Sequence, residues 1–480
     1  MDIAAVRRAL TPALADVLFA ALVVWLLLYT AGGDVAGLLS DAGAGVHIRT
    51  GEAILQQRAV PRADWFSFTK PAGEWFAWEW LADVVMALAF RAGGLGGVSV
   101  FFAALWALNL LLLTRLALDR GGNAMVVLAL TPVAVGAASV HFLARPHAFT
   151  ITFLLLALGW MPHARRVWLL APLTALWANI HGGFVALFAI LMIEAAGAWL
   201  EKDNAHARRT AEVLAACACA SLLNPYGWRL HAHLAGYLRS GWLRELVEEF
   251  KAPLPDSPSW PYFVILLWAG VLLAGRLASR RRFRDAMLVA LWAYAAMTSI
   301  RHLAVYAFVL IPILSGELSR WSGLPKVIAE LGRDHLAGFR RHSVWPAAIL
   351  AGLFAWAASS PARFVFPPSK YPVALIERHA ALLDGARVWS SDAWSDYLIW
   401  RFAGRTKVAL DGRSDFYGEA LCREYANAIN GRPGWRAAIE RRQPSYVLAP
   451  AGSPLNAHLS RDAAWAPIEE AGSAGLYRRR

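Results

Sequence analysis

A chain of 480 residues with 58% hydrophobic and only 17% charged residues is too apolar for an ordinary soluble enzyme. Apolar runs of about 15 to 20 residues recur between short basic loops, the pattern of a polytopic membrane protein. The net charge of +13 sits in those loops, so an excess of Lys and Arg on one side of a membrane explains it, and nucleic acid is not the expected partner.

The N-terminus, MDIAAVRRALTPALADVLFAALVVWLLLYT, has a basic start and a long apolar run with no small-x-small cleavage site after it. It reads as a retained first helix. Further spans are expected at 97–118, 123–142, 147–162, 166–179, 182–200, 210–223, 260–277, 284–299, 302–318 and 344–359, about eleven with the first at 11–31. The segment 77–92 carries Glu79, Asp83 and Arg91. As a helix it reaches about 24 Å, short of the roughly 30 Å hydrocarbon core, so it is expected to lie at the membrane without crossing.

With a cytoplasmic N-terminus this count places every strong basic cluster on one side: Arg115 and Arg120, Arg165 and Arg166, Lys202 to Arg209, Arg276 to Arg284, and Arg320 to Arg341. Residues 320–342 read as a basic amphipathic helix on that surface. The other side collects a polar loop at 34–79, HFLARPH at 141–147, WANIHGGF at 177–184, the 225–259 loop and SIRH at 299–302. Ionisable groups at membrane depth are costly and mark functional candidates. The outer loop holds Asp34, Asp41, His47, Arg49, Glu52, Asp64, Glu74 and Glu79.

Asp41, just before GAGVHIRTGEAI, can act as a general base or as a cap for the helix it precedes. Asp34 competes for the base role but lies nearer the end of the first span. His47, Arg49 and Glu52 follow at helical spacing, either as a phosphate-binding face or as an ordinary wet helix. Asp64 in PRADWFSFT reads as a turn residue with an Asx-type bond, and Trp65, Phe66 and Phe68 as seats on lipid or on the helix bundle. Arg145 and His147, His181, and Arg301 with His302 are candidates for holding a phosphate at the outer face, against the plainer readings of a snorkelling Arg and structural histidines. Asn224 in LNPYGW reads mainly as a helix stop.

From about 361 the composition changes. Four prolines (Pro361, Pro367, Pro368, Pro372) precede short apolar strands and helices: RVWSS, KVALDGR, the helical EALCREYANAI and GWRAAIERR, YVLAP and AGLYRRR. A small α/β domain with a buried sheet is expected at 361–480, following a helical membrane domain at 1–360. Asp411, Arg413 and Asp415 follow a strand; a turn salt bridge is the simpler account of them than a ligand site. Cys217 and Cys219 lie in an apolar run and Cys422 stands in the tail, which gives neither a disulfide framework nor a zinc spacing. No resident metal site is expected from the sequence. A divalent ion as cofactor is neither required nor excluded.

The order of these motifs resembles the GT-C superfamily of polytopic glycosyltransferases, such as protein mannosyltransferases and lipid A aminoarabinose transferases. It resembles most a bacterial branch carrying HIRTGEAI, PRADWFSFT, WEWLAD, ARPHAFT, LWANIHGGF, LNPYGWRL, EEFKAP, SDAWSDYLIWR and KVALDGRSDFYG. The likeness covers almost the whole chain. It implies a multi-pass protein of the bacterial inner membrane, N-terminus cytoplasmic and C-terminal domain periplasmic, that moves a sugar from a polyprenyl-phosphate donor to an acceptor. The base role would fall to Asp41 and the donor phosphate to Arg145, helped by His47, Arg49 or Arg301. Well-known members carry paired acids past the first helix, whereas Asp34 and Asp41 stand singly here. That departure favours the alternative, a non-catalytic GT-C-like binding or scaffold protein among the proteins that assemble envelope polysaccharide or glycolipid.

Overall fold

The computed structural model describes residues 10–31, 37–321, 325–332 and 343–480. Asp34 and most of 320–342 therefore lie outside the described residues. The chain divides into two compact units, Met1–Leu28 with Val100–Trp228 and Glu248–Trp356, and Tyr29–Ser99 with Arg229–Val247 and Ala357–Arg480.

The first unit is helical. Among the described residues of the whole chain, five helical stretches are long and apolar enough to cross a membrane: Trp80–Asp119, whose first part belongs to the second unit, Ala124–His141, Gly182–Leu200, Trp260–Ser279 and Ile300–Ser319. Shorter apolar helices lie at Leu14–Leu28, His147–Trp160, Arg166–Trp177 and Trp345–Ser359. The expected spans coincide with helices, and local chemistry sets several of the ends. Asn123 accepts from the Met125 N–H at the start of one helix, and Asp203 accepts from the His206 N–H at the start of Asn204–Ala220. That cap starts the helix six residues before the expected 210. The segment expected at 166–179 begins as a 3₁₀ turn, Arg166–Leu169, before Leu170–Trp177. Leu303–Ser319 is buried from Leu303 to Glu317. Enclosed on every side, it occupies the core of this unit.

Trp80–Asp119 is broken at Gly93 (φ −165, ψ 27) and Gly94 (φ 61, ψ −150), which separates the expected 77–92 helix from the expected span at 97. The stretch expected as a loop at 225–259 contains two helices, Trp228–Arg239 and Gly241–Leu246.

The second unit is built on a five-stranded sheet: β1 (Arg387–Trp389), β2 (Lys407–Val408), β3 (Tyr446–Pro450), β4 (Trp465–Ala471) and β5 (Ala474–Arg479). Their order is β2-β1-β3-β5-β4. β1 runs parallel to β2 and β3, and the β4–β5 hairpin adds antiparallel. β4 escapes sequence reading because WAPIEEA mixes charge and proline into the strand.

Residues expected to belong with the helical domain complete this unit. Ser67 forms a parallel bridge with Val408. The Phe68 N–H donates to the Val408 carbonyl and the Val408 N–H to the Phe66 carbonyl. PRADWFSFT thus adds to the otherwise open edge of β2. The Asp64 carboxylate accepts from the Phe66 and Ser67 N–H groups, the expected Asx-type turn. Phe66 is fully buried against Trp65 and Trp75, so it seats the loop in the α/β unit and not on lipid.

Candidate functional site

The GAGVHIRTGEAI motif forms Gly43–Gln57. Its glycines let it lie between two partners. A Cβ on Gly45 would fall 2.4 Å from Trp400 Cβ, and one on Gly51 would fall 1.9 Å from the Asp83 carbonyl oxygen. Either distance forbids a side chain. The polar residues of the helix face those same partners. His47 Nδ1 lies 2.7 Å from Asp83 Oδ1, and its Nε2 lies 3.8 Å from Glu79. Arg49 donates through Nε to the Trp400 carbonyl and through Nη1 to Glu52 at 2.6 Å. His47 therefore ties this helix to Glu79 and Asp83, and Arg49, held by Glu52 on the same helix, ties it to Asp392–Arg401.

Asp41 stands at the start of the same helix. Its Oδ1 accepts from the Gly43 N–H at 2.8 Å, and the flanking backbone is pinned by Tyr371, whose hydroxyl accepts from Ala42 N–H and donates to the Ser40 carbonyl. Two carboxylates missed by sequence reading lie within electrostatic reach of Asp41: Asp392 and Asp396, from SDAWSDYLIWR. Burial, with Asp411 and Asp41 nearby, holds Asp396 well above the usual carboxylate range. Burial also raises Asp392, against backbone N–H donors that pull it down. The doubled SD in that motif was the available signal.

Arg413, on the loop after β2, is the hub of this unit. It donates to both oxygens of Asp411 and to Asp64 at 2.8 Å, and its guanidinium lies 4.5 Å from the Trp75 ring centroid. Tyr417 also donates to Asp411. The turn salt bridge read from LDGRSD is present, and it extends to the 34–79 loop through Asp64. Asp415 pairs instead with His233 at 2.9 Å.

In the helical unit, three segments far apart in sequence meet. His141 Nε2 donates to the Ile300 carbonyl at 2.8 Å, and His147 Nε2 donates to the His141 carbonyl at 2.7 Å. Because both acceptors are carbonyls, both imidazoles carry their proton on Nε2. Arg145 and Glu249 lie within electrostatic reach of His147. Arg301 lies 3.7 Å from Glu249 and stacks over Phe250 at 4.4 Å, while His302 Nδ1 bonds the Ala295 carbonyl. The EEFKAP segment is tied down by Ser299, whose hydroxyl donates to the Glu249 carbonyl, and by Ile300 N–H to Lys251. Sequence reading missed Glu249 and Phe250 because the charged run looked like a solvated loop.

This arrangement brings Arg145, His147, Arg301 and His302 together with His141, two guanidiniums and three imidazoles beside one carboxylate. Such a cluster can hold a phosphate. His181 has a local engagement: its Nδ1 accepts from Gly183 N–H and lies 2.8 Å from Thr150 Oγ1, which in turn accepts from Trp177. That fixes its proton on Nε2. No group of three or more His, Cys, Asp or Glu suited to a metal ion occurs among the described residues.

No family model and no curated protein matches the chain. Solved structures do. The archaeal oligosaccharyltransferase AglB from Archaeoglobus fulgidus, in complex with an inhibitory peptide and a dolichol-phosphate, matches 97% of this chain and 74% of its own, with TM-score 0.57 and 11% identity. The Archaeoglobus fulgidus oligosaccharyltransferase in its apo form matches over 91% and 69%, with TM-score 0.56 and 10% identity. ArnT from Cupriavidus metallidurans bound to undecaprenyl phosphate matches over 96% and 97%, with TM-score 0.52 and 13% identity. At such identities the likeness is one of architecture: the chain has a polytopic, GT-C-like fold.

Proposed function

We propose that the protein is a membrane glycosyltransferase that moves a sugar from a polyprenyl-phosphate donor to an acceptor at the periplasmic face. The observation that carries this reading is the pair of guanidiniums Arg145 and Arg301 clustered with His147 and His302, in a fold shared with structures that hold dolichol-phosphate or undecaprenyl phosphate. The eleven-span topology, the cytoplasmic N-terminus and the periplasmic placing of 361–480 are part of the proposal.

The step is an inverting displacement. The acceptor hydroxyl or amine loses its proton to a carboxylate base as its lone pair forms the bond to the anomeric carbon; the base role that the resemblance gives to Asp41 is what the variant below tests. The bond from that carbon to the phosphate oxygen breaks, and the polyprenyl phosphate leaves with the electron pair. Arg145 and Arg301 answer the charge that develops on it, the interaction a preorganised site supplies best. His47, Arg49 and Glu52 hold the helix that presents Asp41, and His181 shapes its own turn.

The test is transfer of labelled sugar from polyprenyl phosphate in membranes containing the protein or Asp41→Asn. Full turnover by Asp41→Asn removes Asp41 from the base role. The scaffold reading draws on the bond between Asp41 and Gly43 N–H, which is an ordinary capping contact. Lack of turnover by the unaltered protein with every polyprenyl-linked donor tried would favour that second reading.

A further inference from the structure

A second cationic site lies in the helical unit, at the other end of Leu303–Ser319 from Arg301 and His302. By helical rise the two ends are about 25 Å apart. A cavity of about 440 Å³ opens there, lined by Asp119, Arg120, Gly121, Arg282, Pro312, Ile313 and Arg320. Three guanidiniums and one carboxylate thus face the same space.

The guanidiniums are held in place by two other acids. Glu317 is buried, and Arg282 and Arg320 both donate to its Oε1. Arg276 and Arg280 approach its Oε2 to 3.7 and 3.5 Å. Asp285 accepts from Arg120 at 2.9 Å and from Arg282 at 2.6 Å. Arg320 also donates to the Arg120 carbonyl, and the Gly121 backbone (φ 87) turns the chain beside it. Among the described residues this sets five guanidiniums around three carboxylates.

Basic residues that merely obey the positive-inside rule extend singly toward water. Here they converge on one buried carboxylate at the rim of a cavity, so their geometry is fixed before any ligand arrives. Each guanidinium has five N–H donors, and the pairs above engage one nitrogen of Arg120 and two each of Arg282 and Arg320.

We propose that this cavity binds a phosphate-bearing anion, held by Arg120, Arg282 and Arg320 and distinct from any sugar donor. The chemistry suits the phosphodiester of an anionic lipid headgroup or a free polyphosphate. The inference does not depend on the transferase reading.

The experiment uses the full chain in nanodiscs. One arm titrates inorganic pyrophosphate into protein held in zwitterionic lipid; the other measures phosphatidylglycerol retained against phosphatidylcholine by native mass spectrometry. Arg320→Gln, at a half-exposed position, is expected to weaken binding about tenfold, the effect of one charge-assisted bond. Asp119→Asn is expected to tighten it several-fold, an opposite change that loss of folding cannot imitate. Binding confined to the first arm identifies a free polyphosphate, and binding confined to the second a lipid. If neither ligand binds, or if both variants bind as the unaltered protein does, the proposal is overturned.

Discussion

The two units handle charge in opposite ways. In the α/β unit the side chains of Asp64 and Asp411 are fully buried around Arg413, and backbone N–H groups, a tyrosine hydroxyl and three aromatic rings complete the network. One guanidinium there is shared by two carboxylates, whose remaining oxygens are hydrogen-bonded, and the network holds a loop on a sheet edge. In the helical unit, Arg301 lies 3.7 Å from the half-exposed Glu249, and Arg145 and Glu249 both lie within electrostatic reach of His147. Compensation marks an anchor; excess marks a place where a ligand can supply the missing charge.

Breaking the anchor has the largest expected effect on folding. Arg413→Ala leaves two carboxylates buried without a counter-ion and is expected to cost about 3–5 kcal/mol, measured as a lost or lowered unfolding transition in detergent. Arg145→Ala or Arg301→Ala should leave that transition nearly unchanged while lowering kcat/KM for sugar transfer about 100-fold or more, if these groups meet the leaving phosphate. A large loss of stability in either would mean that the cluster is an anchor too, and the contrast would collapse.

Gly51→Val drives a side chain into the Asp83 backbone and is expected to cost about 1–3 kcal/mol. Asp396 sharpens the comparison through pH. Its folded carboxyl keeps a proton that the unfolded chain releases, so stability falls as pH rises from the unfolded carboxylate value, about 4, through the raised folded value. Asp396→Asn should flatten that slope in thermal melts taken between pH 4 and 8. The smallest effect belongs to Glu74→Ala, which breaks an exposed pair with Arg229 and should shift stability by no more than about 0.5 kcal/mol.

Helices were legible because apolar runs are local signals, while the cap at Asp203, which starts its helix six residues before the expected 210, was not read. Also legible were the Asp64 turn and the Asp411–Arg413 pair, whose partners lie within a few residues. Contacts between distant segments were not. Nothing in PRADWFSFT has a strand's alternation, because a single bridge to Val408 and a few backbone bonds suffice to place it. His47 looked like a ligand-binding group because its partner Asp83 lies 36 positions on. EEFKAP looked like a solvated loop because its partners, Ser299 and Ile300, come about 50 positions later.

The pairing of the 34–79 loop with β2 also sets a timetable for biogenesis. Thr69 and its partner Ala409 are separated by 340 positions. At elongation speeds of about 5–20 residues per second, roughly 20 to 70 seconds pass between their emergence from the ribosome. Throughout that interval Trp65, Phe66 and Asp64 await a sheet that has not yet been made. A nascent chain arrested before residue 407 should therefore expose this loop to protease, and one released after residue 480 should protect it.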